Sequence, residues 1–176
     1  MGNIFEKTIS SQEVYKGAIF TVKRDEVELP GGYITVREVT EPKDGVVIAA
    51  EYEGRILMVK QFRYPAQDVL YELPAGKLDK DNEDILSAAK RELEEETGYT
   101  AQNWESLGYI WTSPGFSTER LFVFKASNLS YKGQHLDEDE ILDFIPVEKD
   151  KILDMIQLGI INDAKSIAAI MRAYRL

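Results

Sequence analysis

The chain of 176 residues is 44% hydrophobic and 30% charged, the make-up of one globular domain with a core of its own. The absence of cysteine excludes disulfides and a thiol nucleophile, and a formal net charge of −10 speaks against a nucleic-acid partner, which favours a basic face. The single histidine, His135, excludes a multi-histidine zinc site, and its polar Lys132-Gly133-Gln134 setting marks it as an exposed loop residue.

In chain order, Met1 to Phe5 lacks the basic and apolar segments of a signal peptide. No run of about 18 apolar residues follows, so a cytoplasmic protein away from the membrane is expected. Tyr15 to Leu29 reads as a strand, and Pro30-Gly31-Gly32 turns it into a second, Tyr33 to Thr40. Val46 to Ala50 is a continuous apolar run, suited to a strand buried on both faces. Glu53-Gly54 signals a hairpin into Ile56 to Val59, and Leu70 to Leu73 is a short strand ending at Pro74-Ala75-Gly76. A helix then runs to Gly98, with Asn82 or Asp81 as its N-cap. Trp104 to Trp111, Arg120 to Lys125 and Ile141 to Val147 read as strands. Helices over Glu148 to Gln157 and, after an Asn162-Asp163 cap, Ala164 to Tyr174 close the chain. Strands interleaved with few helices predict a mixed sheet between helices.

The first helix carries the chemistry. Glu92, Glu94, Glu95 and Glu96 crowd its C-terminal end, where the helix dipole and neighbouring like charges both oppose them. At 100° per residue Glu92, Glu95 and Glu96 share one face, while Ile85, Leu86, Ala89 and Leu93 form an apolar stripe. Such a helix is ordinarily a solvated acidic surface. Three carboxylates on one face also suit a hard divalent cation, Mg2+ or Mn2+.

The residues around the helix decide between these readings. Glu83, Arg91, Glu92, Leu93, Glu95, Glu96, Gly98 and Tyr99 fall on the positions of the Nudix box, G-x5-E-x7-R-E-U-x-E-E-x-G-U, with U a bulky apolar residue. Gly76 stands one residue too far from Glu83, which implies one extra residue in the Lys80-Asp81-Asn82 loop. The chain therefore resembles the Nudix hydrolases. Val14 to Gly17, Phe20 to Val22, Arg37 to Val39, Gln61 to Tyr64 and Pro114, fifteen residues beyond Tyr99, are similar to the ADP-ribose pyrophosphatase group of nucleoside-diphosphate-sugar hydrolases.

The resemblance implies an α/β fold, an α/β/α sandwich with a mixed sheet, preceded by an N-terminal antiparallel β segment. Residues 1–42 are expected to form that segment, and residues 43–176 the hydrolase domain. The implied activity is Mg2+-dependent hydrolysis of ADP-ribose to AMP and ribose 5-phosphate. Bound cations would let an acidic protein hold a diphosphate, and would acidify the attacking water. The alternatives are another nucleoside diphosphate sugar, or a Nudix-fold sensing module without turnover. The resemblance implies Glu92, Glu95, Glu96 and the Ala75 carbonyl as metal ligands, Glu83 as a supporting acid and Arg91 as an orienting cation. It puts the general base among the acids of a later loop, here Glu140 ahead of Glu138. Arg63 is expected at a phosphate or the distal ribose, Phe20 and Arg37 around the adenine, Glu38 at the adenine or ribose edge, and Glu119, beside Pro114, at the terminal ribose or a metal. A homodimer that exchanges its N-terminal segments is implied as well.

Overall fold

The structure, a computed structural model, describes residues 4–78, 83–136 and 140–174. The expected N-caps Asn82 and Asp81 lie outside the described residues. The chain divides into two compact units, one running up to Lys43 together with Trp111–Glu119, the other comprising Asp44–Ile110 and the chain from Arg120 onward.

The first unit is an antiparallel sheet of β1 (Lys7–Lys16), β2 (Phe20–Glu28) and β3 (Ile34–Pro42), in that order. β2 and β3 pair without a break from Phe20 opposite Pro42 to Glu28 opposite Ile34. Their connection passes through Gly31 at φ 100° and Gly32 at φ 87°, a left-handed pair that glycine adopts without strain. The single strand expected over Tyr15 to Leu29 is two strands. Gly17 N–H donates to the Phe20 carbonyl at 3.0 Å and closes a turn between them. Most of β1 escaped the sequence reading because all ten of its residues are exposed, so no buried face imposes an apolar alternation on it. Trp111–Glu119 joins this unit through a bridge between Thr40 and Ser117.

The second unit is a seven-stranded mixed sheet. It comprises β4 (Gly45–Tyr52), β5 (Arg55–Arg63), β6 (Asp68–Glu72), β7 (Ala75–Lys77), β8 (Tyr99–Trp111), β9 (Arg120–Tyr131) and β10 (Leu142–Glu148). The order is β10-β5-β4-β9-β8, with β6 on β5 and β7 on β4. β4 and β9 run parallel, while β5 is antiparallel to β4, β6 and β10. Each strand read from the sequence is present; β4, β5, β8 and β9 run longer than the apolar pattern marked, β6 ends at Glu72 rather than Leu73, and β10 is shifted by one residue from the expected Ile141 to Val147. The Ala75–Lys77 stretch, expected as a strand end, is a strand of its own against Gly45–Val47.

Alternation along β4 builds two cores. Val46, Ile48 and Ala50 face α1 (Ile85–Thr97) and pack with Ala88, Ala89 and Leu93. Val47 and Ala49 face the other way, toward α2 (Ile152–Gln157) and α3 (Ala164–Ala173), and pack with Ile152, Ala169 and Ile170. Both faces of β4 are thus buried, as its unbroken apolar run requires, and the layers are helix, sheet, helix. The helix expected over Glu148 to Gln157 begins later. Glu148 still pairs with Arg55 in the sheet, and Lys149–Lys151 is a single 3-10 turn before α2.

Leu93 has no solvent exposure and locks α1 to the sheet. Leu93→Ala is expected to cost about 2–5 kcal/mol, read as a fall in the urea midpoint with an unchanged slope.

Candidate active site

α1 is fixed at both ends. Asp84, not Asn82 or Asp81, is the N-cap, and its carboxylate accepts from the backbone N–H of Leu86 at 3.0 Å and of Ser87 at 3.1 Å. At the other end Gly98 sits at φ 76°, and its N–H donates to the Glu94 carbonyl at 2.8 Å. A Cβ on Gly98 would lie 2.7 Å from the Tyr131 ring and 2.8 Å from the backbone of Gly133 and Gln134. The approach is close because residues 132–135 satisfy the last carbonyls of the helix. Lys132 N–H donates to the Gly98 carbonyl at 2.7 Å, the Gln134 side-chain amide to that of Glu96 at 2.6 Å, and His135 N–H to that of Glu95 at 3.2 Å. His135 is exposed, as its loop setting suggested.

The acidic face of α1 is buried, not solvated. Glu92 is 5% and Glu96 3% exposed. Glu92, Glu96 and the partly buried Glu140 each offer an oxygen within 4.8 Å of the others. Burial, joined by the charges of Glu95 and Glu140 and opposed by Arg91, pushes Glu92 up to about 7. Burial together with Glu92 and Glu140 drives Glu96 well above the ordinary carboxylate range, against the pull of the Ala75 N–H and Arg63. That N–H donates to Glu96 at 3.2 Å. Gly76 lies beside it, and a Cβ there would overlap the Glu92 carboxylate. The extra residue inferred between Gly76 and Glu83 falls outside the described residues, but Gly76 itself lies against the site.

Arg91 ties one acid of the cluster, Glu92, to two that stand outside it, Glu83 and Glu95. Its Nε donates to Glu83 at 2.9 Å, and its Nη1 reaches Glu95 at 2.8 Å and Glu92 at 2.7 Å. Its Nη2 donates to the Lys77 carbonyl at 3.2 Å. Burial opposes the guanidinium charge, and these acids outweigh it and raise the Arg91 pKa. Glu95 shares the face of Glu92 and Glu96, yet its carboxylate is held by Arg91, and the three-carboxylate group among the described residues is completed by Glu140. Glu138 lies outside the described residues.

Arg63 is engaged by a residue that the sequence reading passed over. Glu72, 1% exposed, accepts a two-pronged bond from the Arg63 Nε and Nη2, both at 2.7 Å, and a further one from Lys165. Lys165 also pairs with Asp163 at 2.9 Å, the N-cap of α3. Burial disfavours the Glu72 charge, but Arg63 and Lys165 win and hold its pKa below the usual value. The only trace of this network in the sequence is an acid at an inward position of β6. In the first unit, Arg37, Glu38 and Pro114 line one cavity of about 460 Å³ with Glu6, Trp111 and Phe116. Glu6 accepts from the Arg37 Nη2 at 2.6 Å and Nε at 3.0 Å. Phe20 is not among the lining residues and packs against Tyr15, the rings tilted at 47° with centroids 5.9 Å apart. Glu119 is partly buried, and its N–H donates to the Ser117 hydroxyl at 3.2 Å.

Residues 40–164 match the NUDIX domain, and residues 6–40 the nucleoside diphosphate sugar hydrolase N-terminal domain. The chain belongs to the Nudix family. It is 40% identical over 173 residues to an ADP-ribose pyrophosphatase of Bacillus subtilis (strain 168), covering 97% of this chain and 93% of that protein. It is 41% identical over 174 residues to a methanol dehydrogenase activator of Bacillus methanolicus, covering 97% and 94%. A solved structure titled as an ADP compounds hydrolase superposes with a TM-score of 0.86 at 20% identity, over 98% of this chain and 94% of that one, and supports the fold. The chain is thus a Nudix pyrophosphohydrolase, and the buried carboxylates sit on the helix of its Nudix box. Their donor set, oxygen only and crowded enough to raise two carboxyl pKa values, fits a hard divalent cation.

Two outcomes are expected of this Nudix site. Without metal, the raised Glu92 favours the folded state while protonated, so its contribution is present below about pH 4.5 and is lost as pH rises through about 7. In chelator, the thermal midpoint of the wild type should fall more steeply across that window than that of Glu92→Gln. Gly76→Ala should displace the Glu92 carboxylate and lower turnover about 10- to 100-fold, with an unchanged far-ultraviolet circular dichroism spectrum.

Proposed function

We propose that this Nudix enzyme hydrolyses the diphosphate of ADP-ribose to AMP and ribose 5-phosphate, with Mg2+ or Mn2+ at Glu92 and Glu96. The observation that carries the proposal is the carboxylate triad of the buried Glu92 and Glu96 with the partly buried Glu140. The likeness to the Bacillus subtilis ADP-ribose pyrophosphatase along nearly the whole chain supports the choice of substrate. A divalent cation held there supplies positive charge for the diphosphate and lowers the pKa of the attacking water.

The rest is done by the chain. Arg91 holds Glu83, Glu92 and Glu95 in place with four of its hydrogen-bonding directions, and so sets the angle at which Glu92 enters the site. The Ala75 N–H fixes Glu96 from the other side. Glu140 faces both carboxylates and takes the proton released by the attacking water. Arg63, locked by Glu72, offers its remaining donor edge to a phosphate. The cavity of Arg37, Glu38 and Pro114 receives the base. Glu6 occupies the edge of the Arg37 guanidinium and leaves its planar face for stacking.

The N-terminal unit serves a second copy in this reading. Ile9, Val14 and Tyr15 of β1 are all exposed in the single chain, and a partner subunit would cover them. Cytoplasmic residence belongs to the same proposal; among the described residues no helix is long and apolar enough to cross a membrane.

A panel of nucleoside diphosphate derivatives, with products identified by mass, tests the reading. ADP-ribose should give AMP and ribose 5-phosphate only with divalent metal, and faster than GDP- or UDP-sugars. Glu96→Gln should lose more than about 100-fold in turnover and keep its fold. Metal-independent cleavage, or a faster GDP-sugar, overturns the assignment. Light scattering should give about twice the 20.0 kDa chain mass.

A further inference from the structure

The catalytic face is acidic, but the opposite face of the same unit holds a concentration of positive charge that the hydrolysis does not use. A cavity of about 370 Å³ there is lined by Lys125, Lys149, Arg172, Tyr174, Leu107 and Glu105. Tyr174 belongs to the core on the α2 and α3 side of the sheet, whereas α1 packs on the other side. Lys125 follows Leu121 and Val123 in the alternation of β9 and so faces the same side as that core.

The three cations are held in place. Lys125 Nζ lies 5.2 Å and Lys149 Nζ 4.7 Å from the Tyr174 ring centroid, so one aromatic ring gathers two ammonium groups. Arg172 Nη1 donates to the backbone carbonyls of Leu107 at 3.1 Å and Tyr109 at 2.9 Å. Gly108, at φ 79°, lies between those two carbonyls. These bonds use one nitrogen of the guanidinium, and the fork retains further N–H donors. Glu51 pairs with Lys149 at 2.8 Å. Among the described residues no ion pair is made by Lys125 or Arg172, and Glu105 is the one acid lining the cavity. Tyr174 is 3% exposed, and its hydroxyl has no hydrogen-bond partner among the described residues. Burial, and then Glu51, raise its pKa, so it adds no negative charge.

Like charges gathered in a recess of a chain with net charge −10 repel one another, and an oxyanion relieves that repulsion. A guanidinium fork and ammonium groups lining one recess suit a tetrahedral dianion with several acceptor oxygens better than a singly charged ion. The volume exceeds that of bare phosphate and accommodates a small organic group attached to it. We infer that the recess formed by Lys125, Lys149, Arg172 and Tyr174 is a second ligand site, which binds phosphate or a phosphomonoester on the sheet face opposite the Nudix helix.

The test uses the full chain in chelator at constant ionic strength, with inorganic phosphate titrated by calorimetry and by amide chemical shifts. Saturable binding is expected, with shifts at Lys125, Gly108 and Arg172, in the wild type and equally in Glu96→Gln, which separates it from the catalytic site. Lys125→Gln and, separately, the exposed Arg172→Gln should each weaken binding at least about tenfold. Parallel titrations with AMP and with succinate identify the chemistry. Tighter AMP supports a phosphomonoester, tighter inorganic phosphate supports the free ion, and succinate should bind at least about tenfold more weakly than either. Linear, non-saturating shifts, wild-type affinity in both variants, or succinate equal to phosphate would overturn the assignment.

Discussion

Two carboxylates that α1 buries side by side, Glu92 and Glu96, govern the architecture of the catalytic unit. An isolated buried carboxylate is costly, and a second beside it raises the cost of charging either. The chain meets this with partners on every side. Arg91 sits against Glu92, the Ala75 N–H against Glu96, and Glu140 closes the group. Neutralisation is incomplete, because one arginine is already shared with Glu83 and Glu95. In the proposed function a divalent cation would relieve the remaining imbalance of charge, and the same feature that costs stability would provide its ligands.

The fold supplies the rigidity this needs. β4 is buried on both faces and carries β7, whose Ala75 and Gly76 meet the helix. Leu93, one residue past Glu92, anchors the opposite side of α1 in the core. Helix and strand are therefore held together by apolar packing on one side, and the acids are pressed against backbone on the other. Absence of a side chain at Gly76 allows that approach. At the far end of α1, the loop from Lys132 to His135 binds the terminal carbonyls.

Much of this was legible in the sequence, for a physical reason in each case. The β4 run is apolar because both its faces are buried, and the α1 stripe is apolar because one face is, so both elements declared themselves. The spacing of Glu92 and Glu96 placed them on one face because helical periodicity is rigid. β1 was mostly hidden because an exposed strand carries no burial pattern. The N-cap was misplaced because Asp81, Asn82 and Asp84 are all good caps, and only the hydrogen bonds to Leu86 and Ser87 distinguish Asp84. The partition of acids was also beyond reach. Glu140, distant in the chain, joins Glu92 and Glu96, while Glu95 pairs with Arg91. Glu72 with Lys165 joins residues 93 positions apart, which no local pattern reports.

In the proposed function, cation binding discharges the protons that burial favours on these carboxyls. Calorimetric titration of the metal-free protein with Mn2+ at pH 7, repeated in buffers of different ionisation enthalpy, measures the protons released on binding. Saturable binding with net proton release is expected in the wild type, and weaker binding with less release in Glu92→Gln. Binding without proton release, or binding unchanged by Glu92→Gln, would contradict it.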